Sequence, residues 1–365
     1  MLPNTKLYAT AGSWLEQRAL DQLATVSALA EVFQTCAFPD LHPGKGIPIC
    51  VAVATRKIIY PHIVGNDIGC GMALFATDIE TRSFKMDRVW RQFDRYPTFA
   101  DIPIGGVRAI DQLDPALGTI GGGNHFAELT TIESIEEAGV LAQLGLTTGQ
   151  LCILVHTGSR GMGDAILRQA ITQFQAQQGL DVDSQGAAWY VREHDRALSW
   201  AAENRAQVAQ RCLAAIGVKD SSRLVVDLVH NGLEQYLLSG KSAWVHRKGA
   251  AKADTGPVII PGSRGSHSYL VQSLKADENS LFSLAHGAGR KWQRSATAGK
   301  LGARYTISSI RHTRLGSHVF CRDRSLLFEE APEAYKNIDR VIADLVHFGL
   351  VRVIARFRPV LTVKD

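Results

Sequence analysis

Five short stretches of this 365-residue chain set metal-capable or nucleophilic side chains beside glycines or at the ends of apolar runs. They are Asp67-Ile68-Gly69-Cys70-Gly71, Gly121-Gly122-Gly123-Asn124-His125-Phe126-Ala127-Glu128, His156-Thr157-Gly158-Ser159-Arg160, His230-Asn231 and His286-Gly287-Ala288-Gly289-Arg290. Asp67 and Cys70 can converge on one ion, or the thiolate can bridge two. Alone, the pair would read as a turn aspartate and a small buried cysteine. His125, His156 and His230 move the reading toward metal, because neutral imidazole is the commonest nitrogen ligand of transition metals. Mixed oxygen, nitrogen and sulfur ligation suits Zn, Mn, Co or Fe better than Mg or Ca, and the residues do not choose among the four. No HExxH or CxxC frame is present.

The remaining motifs suit phosphate. His286 is flanked by residues small enough to admit a bulky ligand, and histidine can attack phosphorus to form a phosphoramidate. Arg290 can clamp an oxyanion with two N–H groups. The same stretch also fits a helix-ending turn with an incidental histidine. The loop Pro261-Gly262-Ser263-Arg264-Gly265-Ser266 can aim backbone N–H donors at an anion, with an ordinary turn as the alternative. There is no GxxxxGK[ST], and the glycines at 118 to 123 do not follow a strand and open a helix, so P-loop and Rossmann readings fall away. Arg160, Arg247, Lys248 and Lys364 lie near these motifs and could meet RNA phosphates or a triphosphate.

Several elements must position these groups. Residues 13 to 33 carry Leu15, Leu20, Leu23, Val26, Leu29 and Val32 at helical spacing. A Pro/His/Gly loop is expected from Phe38 to Pro48, then short strands at Ile49 to Ala54, Ile58 to Ile63 (an edge, because of Pro61) and Met72 to Ile79. Leu151 to Val155 and Leu224 to Val229 read as apolar strands ending at His156 and His230. Rigid strand ends of this kind present functional groups well. Asp164 to Gln177 and Ala187 to Ile216 read as helices, the second with a polar face. Further short strands are expected at Ser242 to His246, Val258 to Ile260 and Tyr269 to Val271. Pro332 to Phe348 reads as one helix and the tail from Leu350 to Val363 as β-rich.

Composition sets the frame. Hydrophobic residues make up 45% and charged residues 21%, enough for a large core in a soluble protein. The net charge of +5 permits a nucleic-acid or polyphosphate partner without requiring one. Six scattered cysteines fit reduced thiols in a cytoplasm. The opening Met1-Leu2-Pro3-Asn4-Thr5-Lys6 lacks a signal peptide's apolar stretch, and no run is long enough to span a bilayer. No linker divides the chain and the motifs span its length, so one domain covering residues 1–365 is expected.

Taken in order, the motifs resemble the RtcB family of GTP-dependent RNA-splicing ligases. The likeness runs from Phe38-Pro39-Asp40-Leu41-His42-Pro43-Gly44-Lys45-Gly46 through the five stretches. It continues with His246-Arg247-Lys248-Gly249-Ala250, Pro261 to Ser268, His286 to Ser295, Glu330-Ala331-Pro332-Glu333-Ala334-Tyr335-Lys336 and Val363-Lys364. The resemblance implies an α+β fold: one large domain with mixed and antiparallel sheets at the core and helices around them. It implies joining of a 3′-phosphate or 2′,3′-cyclic-phosphate RNA end to a 5′-hydroxyl end, with GTP and two Mn²⁺ ions. Cys70 would bridge the ions, Asp67 and His125 completing one site and His156 and His230 the other. His286 would accept GMP. Asn124, His125, Glu128, His230, Asn231, Pro261, Gly262, Ser263, Arg264, Ser268, Gly287, Ala288, Gly289 and Lys364 would surround the guanylate. Asp40, Arg160, Lys248 and Arg290 would bind RNA ends or transition-state charge.

The chain departs from the family pattern in being shorter, in His62 to Asn66 before Asp67, in Thr157 after His156 and in Arg264. These departures resemble the branch encoded beside a release factor-like protein. That implies RNA repair and an activating or release factor-like partner. A monomer is expected, and the cysteines, the N-terminus and the lack of a long apolar run give the expectation of a cytoplasmic protein without membrane contact. Two other readings compete. A phosphoesterase or cyclic phosphodiesterase without joining activity needs neither His286 nor Lys364. A non-catalytic RNA-binding protein needs none of the five metal-type ligands.

Overall fold

The computed structural model describes residues 4–104, 114–218 and 222–365. Met1 to Pro3, the start of the segment read for a leader, lie outside them. Two sheets stack face to face. The first runs, in spatial order, Thr5–Leu7, Val32–His42, Ile49–Thr55, Lys241–Lys248 and Asn231–Leu238. The second runs Pro257–Pro261, Ser268–Ser273, Val351–Lys364, Phe126–Ile135, Gln150–Thr157, Gly71–Glu80 and Ser222–Val229, with His318–Cys321 alongside Val351–Lys364. Thr5–Leu7 and His318–Cys321 pair parallel to their neighbours and the other ladders are antiparallel, so the sheets are mixed as expected.

Alternation along the strands explains the layers. Met72, Leu74, Cys152 and Leu154 face the first sheet, meeting Cys50, Ala52 and Ala54 across the main core. Their neighbours Ala73, Phe75, Ile153 and Val155 face outward, against Val208, Cys212 and Leu213 of the helix Gln185–Ile216. Strands buried on both faces read as continuous apolar runs, which is why Leu151 to Val155 shows no polar alternation. The helix Gln17–Ser27 covers the first sheet's outer face, where Leu23 and Val26 meet Val51 and Val53.

Some elements differ from expectation. The first helix is shorter than residues 13 to 33, yet Leu15, Leu29 and Val32 from the flanking chain still pack into its cluster beside Leu20 of the helix. Of the loop expected from Phe38 to Pro48, Phe38 to His42 are strand, and Pro43 to Pro48 form the connection. Val32–His42 pairs as far as Ala37 with Val51 and resumes at His42 with Ile49, so Phe38 to Leu41 bulge out opposite Cys50. Burial of Phe38 and Leu41 outweighs the turn signal of Pro39. Ile58–Ile59 is the strand, and Pro61 opens the helical turn Pro61–Val64, where its missing N–H costs nothing. Pro332 to Phe348 is not one helix. A 3₁₀ turn Pro332–Ala334 precedes the helix Ile338–His347, which is capped by Asn337. Phe126–Ile135 and Asn231–Leu238 are strands that the local pattern did not single out.

Candidate active site

Strand register brings the metal-type ligands together. Gly71 pairs with both Thr157 and Val229, and Phe126 pairs with His156. Antiparallel order therefore sets Cys70 and His125, which precede their strands, beside His156 and His230, which lie at the far ends of theirs. His156 is the penultimate strand residue rather than the one beyond it. Cys70 Sγ lies 3.3 Å from Nε2 of His125 and 3.3 Å from Nε2 of His156. His125 Nε2 lies 2.9 Å from Asp67 Oδ2. The donors form two triads, Asp67–Cys70–His125 and Cys70–His156–His230, each with its ligand atoms within 4.8 Å of one another. Cys70 belongs to both.

The protonation states suit cations. Burial and neighbouring histidines hold His156 and His230 well below the ordinary imidazole value, leaving them neutral. Nδ1 of His156 lies 3.1 Å from the Asn124 carbonyl, so it carries the proton and Nε2 keeps its lone pair toward Cys70. Burial alone would raise Asp67, but His125 beside it holds the carboxyl below its usual range. Burial and Asp67 push the Cys70 thiol well up; a bound cation would reverse that by ligating the thiolate. A Cβ at position 158 would collide with Asp67 Oδ1, so Gly158 is required for this close approach. Carboxylate, thiol and three imidazoles in this arrangement fit two transition-metal ions sharing one sulfur.

His286 stands next to the second triad, its ring centroid 4.7 Å from that of His230. Its Nδ1 lies 2.7 Å from Oδ2 of Asp40, in a bent approach. The bulge from Phe38 to Leu41 carries Asp40 there. Lys336 Nζ donates to the carbonyls of Pro39 and Leu41 on either side, at 2.9 and 2.6 Å. Gly289, at φ +71°, passes so close to Asp40 that a Cβ would strike its carbonyl oxygen. Cys50 contacts the other carboxylate oxygen. Asp40 is fully buried, so the structure places it behind His286 rather than on an RNA-facing surface.

A cavity of about 1060 Å³ opens over this centre. His286, Gly287, Ala288, Gly289, Asn124, His156, Pro261, Gly262, Ser263, Lys248 and Lys364 line it, and Arg18, Lys45, Lys291 and Arg294 make its wall basic. Glu128, buried beside the cavity-lining residue Thr362, receives its hydroxyl at 2.7 Å, and burial raises it to about 8. Lys364 Nζ donates to the His125 carbonyl at 2.8 Å, and burial lowers it to about 8.

Other expected contacts sit differently. Asn231 accepts from Gly249 N at 2.8 Å and donates to the Asp67 carbonyl at 3.1 Å, so it braces the metal loop. Arg290 lines the cavity, but its guanidinium is engaged by Glu330, Tyr335 and the Glu329 and Trp292 carbonyls. Arg264 turns its head to the Leu327 carbonyl, with Nε and Nη1 buried. Arg160 packs on the glycine loop and donates to Thr119 Oγ1 at 3.2 Å. Lys248 Nζ donates to the Val64 carbonyl at 3.0 Å. Ser268 is buried in the strand beside Pro261. The motif reading gave no role to Lys336, Thr362, Asn204 or Arg205. Lys336 lay within a quoted motif, whereas the other three carry no local signal.

Known proteins resemble the whole chain. The family model described as tRNA-splicing ligase RtcB matches residues 22–108 and 98–365. The RNA-splicing ligase RtcB2 of Escherichia coli is 44% identical over 357 residues, covering 96% of this chain and 93% of the relative. The tRNA-splicing ligase RtcB of Nanoarchaeum equitans is 30% identical, covering 96% and 92%. That alignment spans 448 positions against 365 residues here, so the relative carries insertions that this chain lacks. The Escherichia coli RNA-splicing ligase RtcB1 is 30% identical, covering 97% and 96%. On these matches the chain belongs to the RtcB family of tRNA-splicing ligases.

Proposed function

We propose that this chain is an RNA ligase of RNA repair or tRNA splicing. It joins a 3′-phosphate or 2′,3′-cyclic-phosphate end to a 5′-hydroxyl end, using GTP and two Mn²⁺ ions. The observation that carries the reading is His286, held by Asp40 beside two ligand triads that share Cys70. Asp67, Cys70, His125, His156 and His230 would hold the ions, which when bound neutralise phosphate charge and orient an in-line displacement.

Asp40 keeps the proton on His286 Nδ1, which leaves the Nε2 lone pair as the nucleophile. Nε2 forms a bond to the α-phosphorus of GTP, and the bond to pyrophosphate breaks. The GMP then passes to an oxygen of the RNA 3′-phosphate as the N–P bond breaks. The 5′-hydroxyl attacks that 3′-phosphorus, closing the phosphodiester and releasing GMP. A cyclic phosphate must first be opened by water. Lys364 supplies an ammonium donor at the cavity wall, and the buried carboxyl group of Glu128, next to the lining residue Thr362, keeps a carbonyl oxygen as acceptor, a pairing suited to a guanine edge. The basic wall suits the triphosphate and the RNA backbone. A phosphoesterase would have no use for the Asp40–His286 pair.

The test is incubation with GTP labelled on the α-phosphate and Mn²⁺, then denaturation, beside His286→Ala. Acid-labile, alkali-stable label on the parent chain alone supports the reading. Absence of label from metal-loaded parent protein counts against it.

A further inference from the structure

We infer that Asn204 and Arg205, consecutive residues in the middle of the helix Gln185–Ile216, are positioning residues that hold the metal-ligand segments in register from behind. The inference rests on the five-ligand metal reading above. The expected polar face of this helix would put both residues in solvent, yet they are 0% and 1% exposed.

Arg205 touches three of the segments. Its Nη1 donates to the Gly69 carbonyl at 2.8 Å, within the loop between Asp67 and Cys70. The same nitrogen donates to the Thr157 carbonyl at 3.1 Å, one residue beyond His156. Its Nε meets Asp227 Oδ1 at 2.7 Å, on the strand that leads into His230. A Cβ at Gly71 would strike the Leu228 carbonyl oxygen first and would also crowd Nη1, at 3.2 Å.

Asn204 takes the fourth segment. Its Oδ1 accepts from Gly118 N at 2.7 Å and Thr119 N at 3.1 Å, at the start of the glycine loop that leads to Asn124 and His125. Its Nδ2 lies 3.1 Å from the Thr119 carbonyl, 3.3 Å from Thr157 Oγ1 and 3.4 Å from the Gly158 carbonyl. Those two backbone N–H donors fix which end of the amide is oxygen. Together the pair contacts every segment that carries one of the five ligands. A planar, fully charged guanidinium suits this multi-point task better than an ammonium does. Both residues stand outside the ligand set, where partners of this kind commonly change metal affinity by about 10- to 100-fold.

Cobalt(II) alone is the probe, because its thiolate charge-transfer band reports ligation by Cys70. Titration is compared for the parent, Asn204→Ala, Arg205→Lys and Asp227→Asn, together with the thermal midpoint of each metal-free protein. The expected result is about 10- to 100-fold weaker cobalt binding and a diminished charge-transfer band in folded variants. A lowered thermal midpoint with parental cobalt affinity and spectrum overturns the inference, because it marks a purely structural role. Should Arg205→Lys fail to fold, Asn204→Ala and Asp227→Asn decide on the same criteria. Asp227→Asn keeps the guanidinium and removes only its charged partner. A parent protein that binds no cobalt sinks the metal reading itself, an outcome distinct from unchanged binding in the variants.

Discussion

Asp40 Oδ2 lies 2.7 Å from Nδ1 of His286, although 246 positions separate the two residues in the chain. The bulge opposite Cys50 creates that contact. Asp40→Asn keeps the shape and removes the charge that fixes the imidazole tautomer. By analogy with carboxylate–histidine pairs, guanylylation should fall by about 100- to 10,000-fold while the metal content stays unchanged. Rates of label incorporation at saturating GTP provide the check. A loss smaller than about threefold would leave Asp40 without its orienting role.

Lys336 holds the same bulge from the other side through the Pro39 and Leu41 carbonyls. Lys336→Met leaves two buried carbonyls short of a donor, at a cost of about 1–3 kcal/mol. Urea unfolding of the two proteins measures it. Unchanged stability would mean that water replaces the ammonium.

Glu128 rises from 4.5 to about 8 on burial. Between those values the unfolded chain has lost the proton that the folded chain keeps. Its contribution is thus fully present below about 4.5 and drains away as pH climbs to about 8. Lys364, lowered to about 8, acts only above that window. Glu128→Gln should flatten the fall in ligand-free stability between about pH 5 and 8. Parallel urea midpoints for the two proteins across that range would contradict it.

The ligands were legible because each carries a local mark: glycines around Asp67 and Cys70, and apolar runs that stop at His156 and His230. What joins them is not local. Register, rather than any motif, places Cys70 between His125 and His156. Asn204 and Arg205 resemble ordinary solvent-facing helix positions until the loops they grip are seen. The bulge carrying Asp40 was hidden because Pro39 and the nearby glycines mark a turn, and only burial of Phe38 and Leu41 draws the segment into a sheet. Arg290 and Arg264 look like phosphate clamps from their neighbours. In the fold, Glu330 and the Leu327 carbonyl compete for them.

His246 tests a tautomer. Its Nε2 accepts from Tyr60 N at 2.9 Å, so the proton sits on Nδ1, which faces the Val53 carbonyl at 3.2 Å. Burial lowers the ring from 6.5 to about 3. Its stability contribution is therefore complete above 6.5 and is lost as pH falls toward 3. Nitrogen NMR at about pH 5 should show a neutral ring protonated on Nδ1. An imidazolium signal there would be incompatible with this packing.

Sharing of Cys70 between the triads makes its loss unlike that of any other ligand. Cys70→Ala takes the only sulfur from both sites at once. His125→Ala takes one imidazole from the Asp67 side and leaves the Cys70–His156–His230 triad whole. Metal analysis of protein equilibrated with excess Mn²⁺ and desalted should find both ions lost from the first variant and about one retained by the second. The parent should lose label incorporation on chelation and regain it when Mn²⁺ is returned. Equal metal content in the two variants would mean that the sites do not share the sulfur. A parent indifferent to chelator would remove the ions from the chemistry.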